Sequence, residues 1–211
     1  MIELLHDDCM NVMAKYPDKY FELAIVDPPY GIGRDGQKRS INKNANYNRK
    51  YHAFKGWDKS KPDKSYFDEL FRISSNQIIW GGNYFIEYLY STKAWIFWYK
   101  GQNGLTMSDG ELAWTSFNTV TRQVELNRGW VVMEGDTIHP TQKTVKLYRW
   151  LLHNYAKPGD KILDTHLGSG SIAIACHDMG FSLIGCEIDE DYYKAACKRF
   201  KEQTAQLKLI A

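Results

Sequence analysis

The stretch from Lys161 to Gln206 constrains the fold most. Lys161 to Leu163 is an apolar strand, Asp164 to Gly170 a glycine-bearing turn, and Ser171 to Met179 a helix. Ser182 to Cys186 is a second strand and Asp189 to Gln206 a closing helix. Two strands joined through a helix lie parallel in one sheet, and such a sheet is covered on its faces by helices. The chain therefore reads as α/β, which sets aside purely helical and purely antiparallel architectures.

The first half repeats the alternation. Ile2 to Leu5 is a short strand, Cys9 to Lys15 a short amphipathic helix, and Phe21 to Val26 a buried strand stopped by the consecutive prolines of Asp27-Pro28-Pro29-Tyr30. Further on, Asp63 to Ile73 is expected to be helical, Gln77 to Trp80 extended, Asn83 to Leu89 helical, and Ala94 to Tyr99 an aromatic strand. Glu111 to Thr115 and parts of Thr119 to Met133 read as strands, and Thr141 to Tyr155 as a helix stopped by Lys157-Pro158-Gly159-Asp160. A length of 211 residues fits one domain, 1–211.

Composition removes several classes. The longest apolar runs, such as Ala94 to Tyr99, are strand-sized and far short of the ~20 residues of a membrane helix. Residues 1–8 carry no secretory pattern, so the expected compartment is the cytoplasm. Cys9, Cys176, Cys186 and Cys197 form no C-x-x-C pair, which fits reduced thiols and no metal site. The net charge of +2 conceals an asymmetry: residues 31–64 hold ten Lys and Arg against three Asp. With Tyr47, Tyr51, His52, Phe54 and Trp57 interspersed, this stretch has the make-up of a phosphate-contacting loop with stacking rings; a solvated surface loop is the equal competitor.

Ile162 to Ser171, between strand and helix, lets a nucleotide-like ligand approach the backbone at Gly168, Ser169 and Gly170. Glu187, at the end of the next strand, lies where ribose hydroxyls are held, and an acid there favours an unphosphorylated ribose. NAD and S-adenosylmethionine both meet that description. The missing third glycine of the pyrophosphate signature leans modestly away from NAD.

Asp27-Pro28-Pro29-Tyr30 places a carboxylate, a rigid turn and a ring at a strand tip, a specific site for a planar amino group. With the cofactor loop following this motif, the sequence resembles the β-type S-adenosylmethionine-dependent DNA amino-methyltransferases, and the resemblance spans almost the whole chain. Leu5-His6-Asp7-Asp8-Cys9 is similar to the family's strand-end acid, and His139-Pro140-Thr141-Gln142-Lys143 to its pre-helix segment. Ile79 to Phe85 is similar to small phage and prophage members. Asp164-Thr165-His166-Leu167 departs from the common D-P-F while keeping the aspartate and glycines.

The resemblance implies a Rossmann-like class I methyltransferase fold: a mixed central sheet with helices on both faces, and the catalytic half before the cofactor half. It implies methyl transfer to N6 of a flipped-out adenine in double-stranded DNA, with Asp27, Pro28, Pro29 and Tyr30 catalytic. Asp8, Thr141, Lys143, Asp164, Gly168, Ser169, Gly170 and Glu187 would bind S-adenosyl-L-methionine. Residues 31–62 become a mobile DNA-contacting loop, with Arg34, Lys38, Arg39, Lys43, Arg49, Lys50, Lys55 and Trp57 on DNA. Residues 101–138 become a small target-recognition insertion, and a homodimer and a restriction-modification setting stay open.

The chemical reason is that an aromatic amine is a poor nucleophile, its lone pair being delocalised into the ring. Asp27 and the Pro28 carbonyl would accept the two N–H bonds and turn the lone pair toward the methyl group, while Tyr30 stacks on the base. For Asp8 a helix N-cap competes with cofactor contact, and for Thr141 and Lys143 capping and solubilising their helix compete equally. Cytosine N4, RNA and protein glutamine are rival acceptors; a silent nucleic-acid-binding module and a nicotinamide oxidoreductase are rival classes.

Overall fold

The computed structural model describes residues 1–38, 51–103, 108–127, 134 and 137–205. Its strands are β1 (Ile2–His6), β2 (Phe21–Val26), β3 (Ser74–Trp80), β4 (Trp95–Tyr99), β5 (Gly110–Thr115), β6 (Arg122–Glu125), β7 (Lys161–Asp164) and β8 (Ser182–Glu187). The helices are α1 (Cys9–Met13), α2 (Lys64–Ile73), α3 (Val145–Tyr155), α4 (Ser171–Met179) and α5 (Glu190–Ala205). All eight strands join one sheet in the order β1-β8-β7-β2-β3-β5-β4-β6. The first five in that order run parallel to their neighbours, and β5 turns the sheet antiparallel against both β3 and β4. The expected mixed α/β sheet is thus the observed one.

The central strands are apolar on both faces because both faces are covered. Leu23 and Ile25 of β2, Ile78 and Trp80 of β3 and Ile162 of β7 enter one core with Leu147 and Leu151 of α3 and Ile172 and Ala175 of α4. The alternate residues Ala24, Val26, Ile79 and Leu163 enter the opposite core with Phe67 and Leu70 of α2 and Met13 of α1. The period of two along each strand thus feeds two cores rather than one core and solvent.

Two expected elements shift. Asn83 to Leu89 is not an α-helix but a single 3-10 turn at Gly82–Tyr84 followed by turns. Its backbone bonds step three residues, as in Tyr84 N–H to Gly81 O (2.8 Å) and Tyr88 N–H to Phe85 O (2.9 Å), while Phe85 is pinned in the core against Phe67. The helix expected from Thr141 starts at Val145, with Thr144 as N-cap, so Thr141 to Lys143 form a non-helical approach to it. Cys176 and Cys186 are buried and Cys197 is partly buried. Residues 110–115 and 122–125, inside the expected 101–138 insertion, are strands of the central sheet. Among the described residues no helix is long and apolar enough to cross a membrane.

Candidate active site

The parallel strands β1, β8, β7 and β2 end on one edge, bringing Asp8, Glu187, Asp164 and Asp27 to neighbouring tips. That edge is where open α/β sheets bind ligands. Asp27 sits just beyond β2, beside the tip of β7 through the pairings Leu23 with Ile162 and Ala24 with Leu163. Its Oδ1 accepts the Tyr30 hydroxyl at 2.7 Å, and its Oδ2 accepts the Lys143 ammonium. Burial, and after it the Asp27 charge, push the Tyr30 phenol well up, so Tyr30 is the donor.

Gly81 makes room for the Tyr30 ring. Its φ is +67° and a Cβ there would stand 2.2 Å from Tyr30 Cε1. Tyr30 in turn stacks on Tyr84 with ring centroids 5.0 Å apart, and meets Phe85 edge-on. The Gly81-Gly82 pair therefore has a packing task that the sequence did not disclose. Gly82 itself lies against Trp114. An open cleft of about 630 Å³ flanks Tyr30, lined by Lys59, Ser60, Lys61 and Tyr84 among others.

Lys143 is only 4% exposed, which rules out a solubilising role. Its ammonium lies between two carboxylates, Asp27 and Glu111, the latter with Oε2 at 3.3 Å. Burial by itself would lower the lysine pKa, but Asp27 and Glu111 together hold it above its ordinary value. Glu111, on β5, is also paired with Lys100; burial opposes its ionisation, but Lys143 and Lys100 bring its carboxyl down to about 2. Neither Glu111 nor Lys100 was singled out from the sequence. They meet only because β4 and β5 pair antiparallel, placing Trp98 opposite Glu111.

At the glycine loop, Glu187 accepts the Gly168 N–H at 2.8 Å through Oε2 and the Asp189 N–H at 3.0 Å through Oε1, tying loop to strand tip. Gly168 has a φ of +52°, and a Cβ there would point at the His139 ring 3.7 Å away, so a side chain would fill the groove between them. Asp164 is 2% exposed, and burial raises its carboxyl to about 8. Asp8 caps α1, accepting the Met10 N–H at 2.8 Å. The Ser169 hydroxyl turns inward to Ser171 at 3.0 Å. Thr141 meets His139 Nδ1 through its hydroxyl at 3.1 Å. Two acidic side chains at adjacent tips beside a glycine-bearing backbone suit the diol and the amino group of an adenosine.

In place of the proline and phenylalanine of D-P-F, Thr165 and His166 build a buried chain from Tyr66 Oη to Thr165 Oγ1 (2.7 Å) to His166 Nδ1 (2.9 Å). Burial lowers the His166 imidazole to about 4 and the His139 imidazole to about 3, so both are neutral.

The two ends of the basic loop are tied together. Asp58 accepts the Gly31 N–H at 2.8 Å and the Arg34 N–H at 2.6 Å, Asp35 accepts the Gly56 N–H, and Gln37 bridges to His52. Arg34 and Lys38 are exposed. Lys55 is engaged with Asp189 and Asp191, and Trp57 stacks on His139 at 5.1 Å, so both lie against the cofactor side of the edge. Arg39, Lys43, Arg49 and Lys50 lie outside the described residues.

Residues 57–198 match a DNA methylase family, N6_N4_Mtase. The chain belongs to this family. The match takes in the pre-helix segment, the glycine loop and Glu187, while Asp27 to Tyr30 lie before it. Over 216 residues the chain is 26% identical to the putative methylase YubD of Escherichia coli K12, covering 94% of this chain and 90% of that one. The M1.HpyAVI–SAM complex shares the fold with a TM-score of 0.64 at 19% identity, over 94% of this chain and 98% of that one. PvuII DNA methyltransferase, cytosine-N4-specific, superposes with a TM-score of 0.63 at 12% identity, over 100% of this chain and 88% of that one.

The acidic residues and glycines at the β7 and β8 tips lie beside the Asp27 turn at the tip of β2. Among the described residues no cluster of three or more His, Cys, Asp or Glu could hold a metal ion.

Proposed function

We propose that this DNA methylase transfers the methyl group of S-adenosylmethionine to N6 of an adenine flipped out of double-stranded DNA. The observation that carries the reading is Asp27: a carboxylate on the turn after β2, one strand from the glycine loop, at the edge of a cleft lined by Tyr84 and lysines. Bound S-adenosylmethionine would supply an electrophilic methyl; as the nitrogen takes it the sulfonium would leave as the neutral thioether and the one surplus proton would pass from nitrogen to solvent. Asp27 and the Pro28 carbonyl accept hydrogen bonds from the two amino N–H groups, steering the lone pair out of the ring and toward the methyl.

The other residues bind and position. Asp8 and Glu187 serve the adenosine, Gly168 and Gly170 keep the backbone open to it, Thr141, Asp164 and Ser169 complete the cofactor side, and Lys143 is held between Asp27 and Glu111. Arg34 and Lys38, both exposed, belong to the segment that neutralises phosphates and offsets unstacking, which costs on the order of a few kcal/mol. Cytosine N4 is the second reading, since PvuII DNA methyltransferase, which shares the fold, is cytosine-N4-specific.

The test is methyl transfer from labelled cofactor to mixed-sequence duplex, with the product digested to nucleosides. N6-methyldeoxyadenosine from the wild type is expected, with a loss of about 10² to 10³ in rate for Asp27→Ala. N4-methyldeoxycytidine as the sole product would refute the adenine assignment.

A further inference from the structure

We propose that Glu111 is a positioning residue: the second seat of the Lys143 ammonium, taken up when the target amino group claims Asp27. The inference rests on the reading of Asp27 as acceptor of that amino group. In the structure both Asp27 oxygens are occupied, Oδ1 by the Tyr30 hydroxyl and Oδ2 by Lys143. A carboxylate offers about four acceptor sites, and the ammonium on Oδ2, a charged donor, both crowds an incoming N–H at that oxygen and draws off the negative charge that would attract it.

Glu111 is built to receive that ammonium. Its Oε1 is held by Lys100. Its Oε2 is buried, accepts no hydrogen bond among the described residues, and stands 3.3 Å from Lys143 Nζ. A buried carboxylate oxygen left without a donor is a destabilising feature unless some state of the protein satisfies it. A movement of about half an ångström brings Nζ to ordinary hydrogen-bond distance from Oε2. The floor of that movement is the Trp80 ring, 5.2 Å from Nζ, whose π face favours a cation.

Charge is conserved throughout. Lys143 and Lys100 balance Asp27 and Glu111 before and after the shift, so no ion is left uncompensated. The carboxylate of the bound methionine moiety is the competing seat for Lys143, and the experiment separates the two.

Single-turnover methyl transfer is measured at saturating S-adenosylmethionine and DNA for wild type, Glu111→Gln and Glu111→Asp, with cofactor and DNA affinities taken by calorimetry and anisotropy. Glu111→Gln is expected to lower the single-turnover rate about tenfold or more, with both dissociation constants within about twofold and the methylated base unchanged. Glu111→Asp, which keeps the charge, is expected to recover part of the rate. Should Glu111→Gln fail to fold, Glu111→Asp carries the same comparison at a smaller deficit. A wild-type rate in the folded variants overturns the proposal. So does cofactor binding weakened as much as by Lys143→Ala, which would assign the ammonium to the cofactor. Full activity of Asp27→Ala would instead remove the underlying reading of Asp27.

Discussion

Replacing Asp164 by Asn should stabilise the cofactor-free protein and weaken cofactor binding at once. The carboxyl is 2% exposed at the tip of β7, and burial raises it from 3.8 to about 8, so the folded protein holds it neutral at pH 7. In the unfolded chain it titrates at its ordinary value. Between those two values the folded state binds one more proton, and stability falls with rising pH by about 1.4 kcal/mol per unit. At pH 7, roughly three units above the unfolded value, the destabilisation is at most about 4 kcal/mol. Asparagine copies the neutral acid in shape, can accept the His166 N–H that Asp164 Oδ1 now takes at 3.0 Å, and has no proton to lose. Urea unfolding at pH 4, 6 and 8 measures this directly. The Asn variant should match wild type near pH 4 and exceed it increasingly toward pH 8. A difference that does not change with pH, or a variant less stable at pH 8, would refute the reasoning. Calorimetry with S-adenosylmethionine should show the opposite sign, because a positively charged ligand gains from an aspartate that can ionise beside it.

Gly81→Ala places a methyl 2.2 Å from Tyr30 Cε1 on a backbone with φ of +67°; a loss of about 1–3 kcal/mol in chemical denaturation is expected, with the methyl-transfer rate falling more than cofactor affinity as Tyr30 is displaced. Asp58→Ala removes the carboxylate that receives two loop N–H groups; limited proteolysis should cut residues 31–62 faster, and DNA affinity should fall while cofactor affinity holds. Equal cleavage rates would show that Asp58 does not secure the loop.

The order of elements and the strand that ends at Asp27 were legible because they rest on local signals. Phe21 to Val26 with its proline stop, and strand, glycine turn and helix from Lys161 to Met179, each declare themselves within about twenty residues. Asn83 to Leu89 misled because its apolar spacing fits a helix, yet Phe85 is held by Phe67 from a distant element, and that packing outweighs propensity. Thr141 to Lys143 misled in the same way: apolar spacing from Val145 was extended backward past Thr144, the residue that caps the helix.

By itself the sequence determined the α/β class, the succession of most strands and helices, and the chemical groups present, since periodicity, glycines and prolines act on neighbouring residues. The tertiary structure alone decided which charges meet. Lys143 lies 116 positions from Asp27 and Lys100 lies 11 from Glu111, and their pairing follows from sheet order and register, which no local pattern encodes. Burial keeps Asp164 neutral at the β7 tip, while Lys143 and Lys100 overcome burial and keep Glu111 ionised on β5; both surroundings belong to the assembled sheet and its helices, not to either residue's neighbours in the chain.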